Sequence, residues 1–157
     1  MVGIITGASA VYACKPRDEF FEINKNNRIS KIGLIICNTV FRLEDNIPNL
    51  GTQILSIWRK QIVLDWYIKY KVMPIGFETF IYGENRFGSM YRADNWTYCG
   101  ITSGSTKYRP TGYGNFHKGE KYLRVKTEQK LVFCKKVSKS DISLLNNYIQ
   151  KHKKIAI

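Results

Sequence analysis

The pattern of apolar and polar residues along the chain predicts a mixed α/β fold with one central sheet flanked by helices. Apolar runs of β-branched and aromatic residues, bounded by turn-forming residues, are typical of buried strands. We expect the strands at Val2–Ala13, Gly33–Arg42, Ile75–Tyr82, Thr97–Thr102 and Leu131–Lys136. Between the second and the third, large apolar side chains recur at helical spacing from Leu50 to Trp66. This spacing predicts a helix over Leu50–Lys71 that packs one apolar face on the sheet.

Shorter segments complete the predicted secondary structure. A short helix is expected after Pro16, a helical turn over Arg86–Asp94, and a long Gly-rich loop over residues 103–119. Asn49 is a residue type that favours the N-cap of the long helix. Two further predictions concern the C-terminal part: a strand over Tyr122–Lys126 in a hairpin with Gln129–Val137, and a helix from Ser138 to about Lys154.

Length and composition are those of one folded domain. With 157 residues, 44% of them hydrophobic and 13% aromatic, the chain is long enough to bury a core, and we treat residues 1–157 as a single domain. It contains no apolar run of about 18 residues, and its first residues lack the positive charges of a signal peptide. We therefore expect a cytoplasmic protein without a membrane partner.

The four cysteines are predicted to be free thiols buried in the core. Cys14, Cys37, Cys99 and Cys134 lie far apart, form no C-x-x-C motif and have apolar neighbours. That pattern favours reduced thiols over disulfides or metal ligands. With only two histidines, the sequence does not favour a zinc site either.

Net charge is the most pronounced feature of the composition. The chain has 25 basic and 12 acidic residues, a formal net charge of +13. Thirteen of the basic and three of the acidic residues lie from Ile101 onwards, so the C-terminal third is strongly basic. A polyanionic partner, DNA in particular, is the first interpretation. The alternative is a charge that serves only solubility or reflects AT-rich codon use.

The stretch from Pro74 to Gly104 is where we expect the chemistry. It predicts a buried strand, a loop, a short helix and a second strand. In open α/β sheets, ligands collect beyond the carboxyl ends of the strands. The polar side chains expected near that place are those of Glu78, Ser89, Tyr91, Arg92 and Asn95. Asn38 interrupts another apolar strand, and its amide requires partners that are either structural or supplied by a substrate.

The same stretch carries a family resemblance. Its ETF motif, followed by RFGSMYRADNW and a Gly-x-Thr, resembles the core of the DruA-type domain of the Druantia anti-phage system. The matching residues are Glu78, Thr79, Phe80, Arg86, Phe87, Gly88, Tyr91, Arg92, Ala93, Asn95, Trp96, Gly100 and Thr102. Upstream segments 17–20, 37–41 and 47–50 extend the resemblance. More distantly, GSMYRADNW is similar to a pattern of the Mom family of DNA adenine modification enzymes and to a segment of GNAT acyltransferases.

The resemblance implies a GNAT-like central mixed sheet and an acid role for Tyr91. In GNAT enzymes, the tyrosine of the matching segment often protonates the departing coenzyme A thiolate. Segment 48–53 takes the place of their pyrophosphate loop, so Asn49, Gly51 and Thr52 are where an acyl-CoA-like donor would bind. The usual glycine-rich run is absent, and a plain helix cap is the alternative.

Both the DruA-type and the Mom family also carry an upstream segment, often with a His-Tyr-Leu-like motif, that does not precede the first strand here. The domain is therefore expected to be N-terminally short, or to be completed by a protein partner or by a second copy in a homodimer.

The remaining candidates receive roles from their chemistry. Glu78 is a candidate base, or a group that orients the target amine, while Ser89, Asn95 and Asn38 are candidates for holding the substrate. Aromatic and basic residues are interleaved in the Gly-rich loop, an arrangement suited to stacking on an extruded base while gripping phosphates. The candidate nucleic-acid-binding residues are Arg92, Lys107, Tyr108, Arg109, Tyr113 and Lys118. The alternative is a tether whose aromatic side chains pack on the core.

The function that these features favour is a DNA-acting transferase. No Ser/His/Asp or Cys/His set accompanies the candidates, so direct transfer is favoured over a covalent enzyme intermediate. The leading hypothesis is a GNAT-like enzyme that modifies a DNA base, adenine in particular, in phage–host conflict. Two alternatives stay open: a non-catalytic DNA-binding accessory protein of a defence or counter-defence system, and an N-acyltransferase acting on a small molecule or a protein.

Overall fold

A five-stranded mixed sheet lies at the centre of the computed structural model, which describes residues 3–44, 47–82, 87–108 and 123–153. Its strands, in spatial order, are β1 (Gly3–Ser9), β2 (Ile35–Leu43), β3 (Gly76–Ile81), β7 (Leu131–Lys136) and β4 (Thr97–Ile101). β2 and β3 run parallel, and the other neighbouring pairs are antiparallel. All five predicted strands are therefore confirmed, and with them the mixed α/β class.

The described residues also contain a separate pair of strands and five helices. The pair consists of β5 (Ser105–Tyr108) and β6 (Leu123–Lys126). The helices are α1 (Lys15–Phe20), α2 (Arg28–Ile32), α3 (Leu50–Tyr70), α4 (Ser89–Ala93) and α5 (Ser143–Lys153). Within this part of the chain, no helix combines the length and the apolar character that crossing a membrane requires.

α3 covers one face of the sheet with a stripe of large apolar side chains. Leu55, Trp58, Val63 and Trp66 are buried, and the centroid of the Trp58 ring lies 5.7 Å from that of Phe77 on β3. Each fully buried aliphatic side chain of such a stripe contributes about 1.5–3 kcal/mol to the stability of the fold. The predicted long helix and its packing on the sheet are confirmed.

The start of α3 differs from the expectation. Asn49 occupies the N-cap position, but its side chain makes no capping hydrogen bond. Capping side chains usually act from an extended backbone, whereas the backbone of Asn49 is left-handed, with a φ of 63°. Asn49 therefore holds the predicted N-cap position, but its side chain does not cap the helix.

The predicted hairpin between Tyr122–Lys126 and Gln129–Val137 is wrong as well. β6 pairs with β5 instead, and β7 lies between β3 and β4. Because both edges of β7 are occupied, β6 has to pair elsewhere. Residues 105–108 of the predicted loop consequently form a strand, while residues 109–119 lie outside the described part of the chain.

Two element boundaries are also shifted. β1 ends at Ser9, earlier than the predicted Ala13. α5 begins at Ser143 and not at Ser138. The Asp141 carboxylate accepts both the backbone N–H of Ser138, at 2.8 Å, and its hydroxyl, at 2.6 Å. These bonds hold residues 138–141 in a turn and delay the helix.

A buried arginine ties α3 to the elements that follow it. Arg59 on α3 is 5% exposed and pairs with the carboxylates of Asp94 and Asp141. Asp94, just after α4, also accepts the indole N–H of Trp96 at 2.8 Å. The Lys135 ammonium on β7 donates to the Asp94 backbone carbonyl at 2.8 Å. One guanidinium therefore joins α3, the end of α4 and the turn before α5.

Replacing Arg59 with Met is expected to lower the free energy of unfolding by about 3–5 kcal/mol, because two buried carboxylates lose their counter-charge. Urea unfolding followed by circular dichroism measures the loss. The control is Lys69→Met, which removes an exposed charge from the same helix and should change the free energy by no more than about 0.5 kcal/mol. Equal effects of the two substitutions would show that the buried pairing adds no stability.

Candidate functional site

β2 and β3 separate part-way along their length. They pair in parallel from Ile35 opposite Gly76 to Asn38 opposite Thr79. Beyond that point β2 continues beside β1, and β3 beside β7. A bulge leaves Thr39 without a pairing partner in β1, and such bulges bend the strand that carries them. The carboxyl ends of two parallel strands therefore border a gap, which is where α/β sheets bind ligands.

Three polar side chains meet at the floor of this gap. The Tyr91 hydroxyl donates to the side-chain oxygen of Asn38 at 2.6 Å, and the Thr79 hydroxyl lies 3.4 Å from the Tyr91 oxygen. The side-chain nitrogen of Asn38 donates to the backbone carbonyls of Thr6, at 2.9 Å, and Val40, at 3.1 Å. Those two bonds orient the amide, so its oxygen faces Tyr91. The partners of the Asn38 amide thus lie within the protein.

Packing fixes the Tyr91 ring. It meets the Trp96 ring edge-on, with 5.1 Å between centroids, and stacks with Phe133 at 6.0 Å. Burial raises the pKa of the Tyr91 phenol above its ordinary value, so the hydroxyl stays protonated at neutral pH. Gly88 precedes α4 in a left-handed conformation, with a φ of 68°, and a Cβ there would lie 2.6 Å from the Phe133 ring. The entry into α4 therefore requires glycine.

The gap opens into a cavity of about 520 Å³, which we call the cleft. Its walls are residues 38–41 of β2, residues 79–82 at the end of β3, and residues 87–91 around the start of α4. Ser89, the first residue of α4, is exposed at this wall. The volume falls in the range of sites that bind small molecules or cofactors.

The beginning of α3 lies next to the cleft. Gly51, in its first turn, is buried against Met90, and a Cβ at this position would collide with the Met90 sulfur. Met90 also lines the cleft. The first backbone N–H groups of a helix lack intrahelical acceptors and attract anions. The segment of Asn49, Gly51 and Thr52 therefore places such groups beside the cleft.

Glu78 lies on the face of the sheet opposite the cleft. Its carboxylate is fully buried, pairs with Arg17 at 2.7 Å and accepts the Val11 backbone N–H at 2.9 Å. Arg17 donates to the Val11 carbonyl at 2.7 Å, and these contacts draw the chain away from β2 and end β1 early. Burial raises the pKa of the Glu78 carboxyl, and the Arg17 guanidinium acts against the rise. Because side chains alternate between faces along a strand, Thr79 points to the cleft and Glu78 does not.

The four cysteines gather on this opposite face. Cys37 and Cys134 lie opposite Glu78 on the two neighbouring strands, and Cys14 and Cys99 belong to the same apolar cluster as Cys134. All four are free thiols, as predicted, and Cys14, Cys37 and Cys134 are buried; Cys99 is partly exposed, which differs from the prediction. Burial raises the pKa of Cys37 to about 12, whereas a hydrogen bond from Cys134 lowers the pKa of Cys99. The described residues contain no cluster of side chains able to hold a metal ion.

Arg92 and Asn95 lie away from the floor of the cleft. The Arg92 guanidinium sits over the rings of Phe133, at 5.2 Å, and Tyr98, at 5.5 Å, and its Nε lies 3.4 Å from the Phe87 carbonyl oxygen. Asn95 is exposed beyond the C-terminal end of α4, where its left-handed backbone turns the chain into β4. The other nucleic-acid candidates are divided between β5, which contains Lys107 and Tyr108, and the part of the chain outside the described residues, which contains Arg109, Tyr113 and Lys118.

The chain matches one protein family over nearly its whole length. The family model described as Druantia protein DruA matches residues 1–151 of the 157. The chain belongs to the DruA family. Membership implies a component of the Druantia anti-phage system, in agreement with the resemblance carried by the RFGSMYRADNW stretch. A search of curated proteins found no match to the chain.

Within this DruA-family chain, the predicted site is only partly assembled in the structure. The candidates that the cleft brings together are Asn38, Ser89 and Tyr91. Thr79 was not predicted as a site residue. Strand alternation could have indicated it, because Thr79 and Glu78 point to opposite faces of the sheet. Arg59 was also missed. The sequence did indicate it: Arg59 lies four residues after Leu55 and four before Val63, so it is a charged residue within the apolar stripe of α3.

One thiol of the DruA-family chain is expected to react far faster than the other three. Cys99 is partly exposed and its pKa is lowered, so more of it is thiolate at neutral pH, whereas Cys37, with a pKa of about 12, stays protonated. Titration of the native protein with a chromogenic aromatic disulfide should show one fast phase. Cys99→Ser should abolish this phase and Cys14→Ser should leave it intact; a fast phase that survives Cys99→Ser would contradict the assignment.

Proposed function

We propose that this DruA-family chain is a DNA-acting enzyme that modifies a base, adenine first among the candidates, by direct transfer from an acyl-CoA-like donor. The observation that carries the proposal is the cleft, where the side chains of Asn38, Thr79, Ser89 and Tyr91 converge at the open ends of two parallel strands. Convergent polar groups in a ligand-sized cavity are the usual mark of a binding or active site.

The order of the elements supports a GNAT-like arrangement. β2, the long α3, the parallel β3 and the short α4 with Tyr91 follow one another, and α3 begins beside the cleft. The phosphates of a donor would lie at the N-terminus of α3, near Gly51 and Thr52, where free N–H groups and the helix dipole favour anions. The reactive end of the donor would then enter the cleft and reach Tyr91.

The proposed step forms a bond between the target nitrogen and the acyl carbon and breaks the bond between that carbon and sulfur. The amine loses its proton to water, and the thiolate leaves toward Tyr91. A thiol has an ordinary pKa of about 8.5 and a phenol one of about 10, and burial raises that of Tyr91 further. Tyr91 would therefore act mainly as a hydrogen-bond donor to the departing sulfur, once its bond to Asn38 is released. Glu78 has no part in this step because it lies on the other face.

Tyr91→Phe is expected to reduce base modification by a factor on the order of 100 or more, the scale of losing one hydrogen-bond donor to the charge that develops on the leaving group. Mass spectrometry of nucleosides from the DNA of cells that express the protein measures the modified base. The substitution keeps the buried ring, so the protein should still fold. Tyr70→Phe, at an exposed position near the far end of α3, is the matched control and should leave the yield unchanged.

Different results would contradict different parts of the proposal. If the unaltered protein produces no modified nucleoside, the enzymatic role is lost. If Tyr91→Phe retains full activity but loses about 1 kcal/mol of stability, the cost of one hydrogen bond, the hydroxyl is structural and transfer does not depend on it.

A non-catalytic DNA-binding subunit is the second candidate, and one feature of the structure favours it. Both ionisable candidates already have partners within the protein, because Tyr91 donates to Asn38 and Glu78 pairs with Arg17. In this arrangement neither side chain is free to transfer a proton. The net charge of +13 would then serve binding alone.

DNA binding by this basic chain is expected to weaken steeply with salt, because neutralising phosphates releases counterions. Replacing Lys107, Arg109 and Lys118 together with Ala should weaken binding and lower the log–log salt slope by up to about three. Fluorescence anisotropy of a labelled duplex between roughly 50 and 200 mM salt measures both quantities.

A charge-matched variant controls for the loss of three cations. Lys25, Lys69 and Lys139 are exposed on other parts of the chain, and their joint replacement with Ala should change the slope less. Equal slopes for the two variants would show that the Gly-rich loop is not the phosphate-binding surface. Binding that is insensitive to salt would exclude nucleic acid as the partner.

A further inference from the structure

We infer that the cleft receives a single unpaired nucleobase with an exocyclic amino group, stacked at its mouth by Phe87 and Tyr82. The inference rests on the proposed function in one respect only, that the ligand is a nucleic acid. Which part of the nucleic acid enters the cleft follows from the charge, the exposed rings and the hydroxyl groups of its walls.

Among the described residues, every side chain that lines the cleft is uncharged at neutral pH. A charged group would lose its water there without gaining a counter-charge, which is costly. A base is neutral and presents hydrogen-bonding edges, so it suits both the apolar and the polar parts of the wall. The cavity on the opposite face, of about 970 Å³, is different because six charged side chains line it. They are Lys15, Asp18, Glu19, Arg28, Glu128 and Lys130.

The mouth of the cleft carries two aromatic rings that the fold leaves in solvent. Phe87 is 70% exposed and Tyr82 is 56% exposed, and both line the cleft. Binding pockets for small molecules are lined mainly by apolar and aromatic side chains. Bases stack on aromatic side chains through their flat faces, whatever their sequence. The two rings therefore offer a stacking surface at the entrance.

In the part of the chain that the structure describes, cations lie at the rim of the cleft but not inside it. The Lys130 ammonium, which also borders the cavity on the opposite face, lies 5.2 Å from the centroid of the Tyr82 ring. The Arg92 guanidinium is placed beside the Phe87 carbonyl, at 3.4 Å. This arrangement positions positive charge for the phosphates on either side of an inserted base, while the base itself occupies the neutral interior.

Hydroxyl groups supply the hydrogen bonds at the floor. The Tyr91 proton is used on Asn38, and its oxygen, which takes a long hydrogen bond from Thr79, has a second lone pair that can accept. Thr79 makes long hydrogen bonds, 3.3 Å to the Asn38 carbonyl and 3.4 Å to Tyr91, and Ser89 adds a further hydroxyl at the wall. Hydroxyl oxygens accept readily, so this floor favours a base that donates through an amino group over thymine, which has none.

The size of the cleft determines whether a paired or an unpaired base can enter it. A cavity of about 520 Å³ accommodates one base but no base pair within a duplex. Reaching it requires an extruded or single-stranded base, and extrusion from a duplex costs the stacking and pairing energy of that base. Single-stranded DNA should therefore bind in the cleft more tightly than duplex DNA of the same sequence.

The test uses the full chain without any donor and a short oligothymidine that carries one 2-aminopurine. Stacking at the mouth should quench 2-aminopurine fluorescence on binding, and an unlabelled strand with one adenine should compete better than one of thymine alone. Phe87→Ala should weaken binding about ten-fold, the scale of one lost stacking contact, whereas Phe87→Tyr should retain it. Since Phe87 is largely exposed, the thermal midpoint should not change.

Tyr12→Ala is the matched control, because Tyr12 is 69% exposed and does not line the cleft. It should leave the affinity within about two-fold of the unaltered protein, as expected for a surface substitution. Equal losses for Phe87→Ala and Tyr12→Ala, or no quenching with the unaltered protein, would overturn the inference. Because no donor is present, base binding without any modified nucleoside in cells would contradict the proposed enzyme and leave the base site standing.

Discussion

The geometry of the cleft depends on one buried amide at the point where the sheet divides. Where β2 leaves β3, the Asn38 side chain donates to two backbone carbonyls and accepts the Tyr91 hydroxyl. A buried carbonyl left without a donor costs about 1–3 kcal/mol, so the amide both permits the strands to part and anchors the phenol between them. The opening in the sheet and the polar floor therefore have the same cause.

Two buried arginines hold the faces of the sheet on either side of this division. Arg59 fixes the end of α4 through Asp94, and Tyr91 belongs to the same helix. Arg17 binds Asp18 and Glu78 and so seats α1 on the other face. Buried ion pairs are weak evidence of net stability, but breaking one is costly. These two networks therefore fix the positions of α1 and α4 on the sheet, and the position of α4 determines the shape of the cleft.

Much of the fold was predictable because it follows from local patterns. The five strands of the sheet and α3 are marked by long apolar runs or helical spacing. Of the five polar residues expected to lie together, Ser89 and Tyr91 do line the cleft, because the helix that carries them follows directly on the end of β3. Glu78 was predicted on the wrong face of the sheet because its strand was treated as uniformly buried. Strand alternation places Glu78 and Thr79 on opposite faces. Two features could not be predicted from neighbouring residues. The strands that pair with β7 are distant in the chain, and the left-handed backbone of Asn49 depends on its tertiary contacts.

The central position of β7 has a consequence for how the protein comes to be made. This strand is the last of the sheet to leave the ribosome, yet it is the neighbour of both β3 and β4. Until it emerges, β3 has only its short parallel contact with β2, and both β3 and β4 expose unpaired edges that invite association with other chains. Such long-range closure is slow, so the nascent chain passes through an interval in which the segments that form the walls of the cleft have been made but β7 does not yet join β3 to β4.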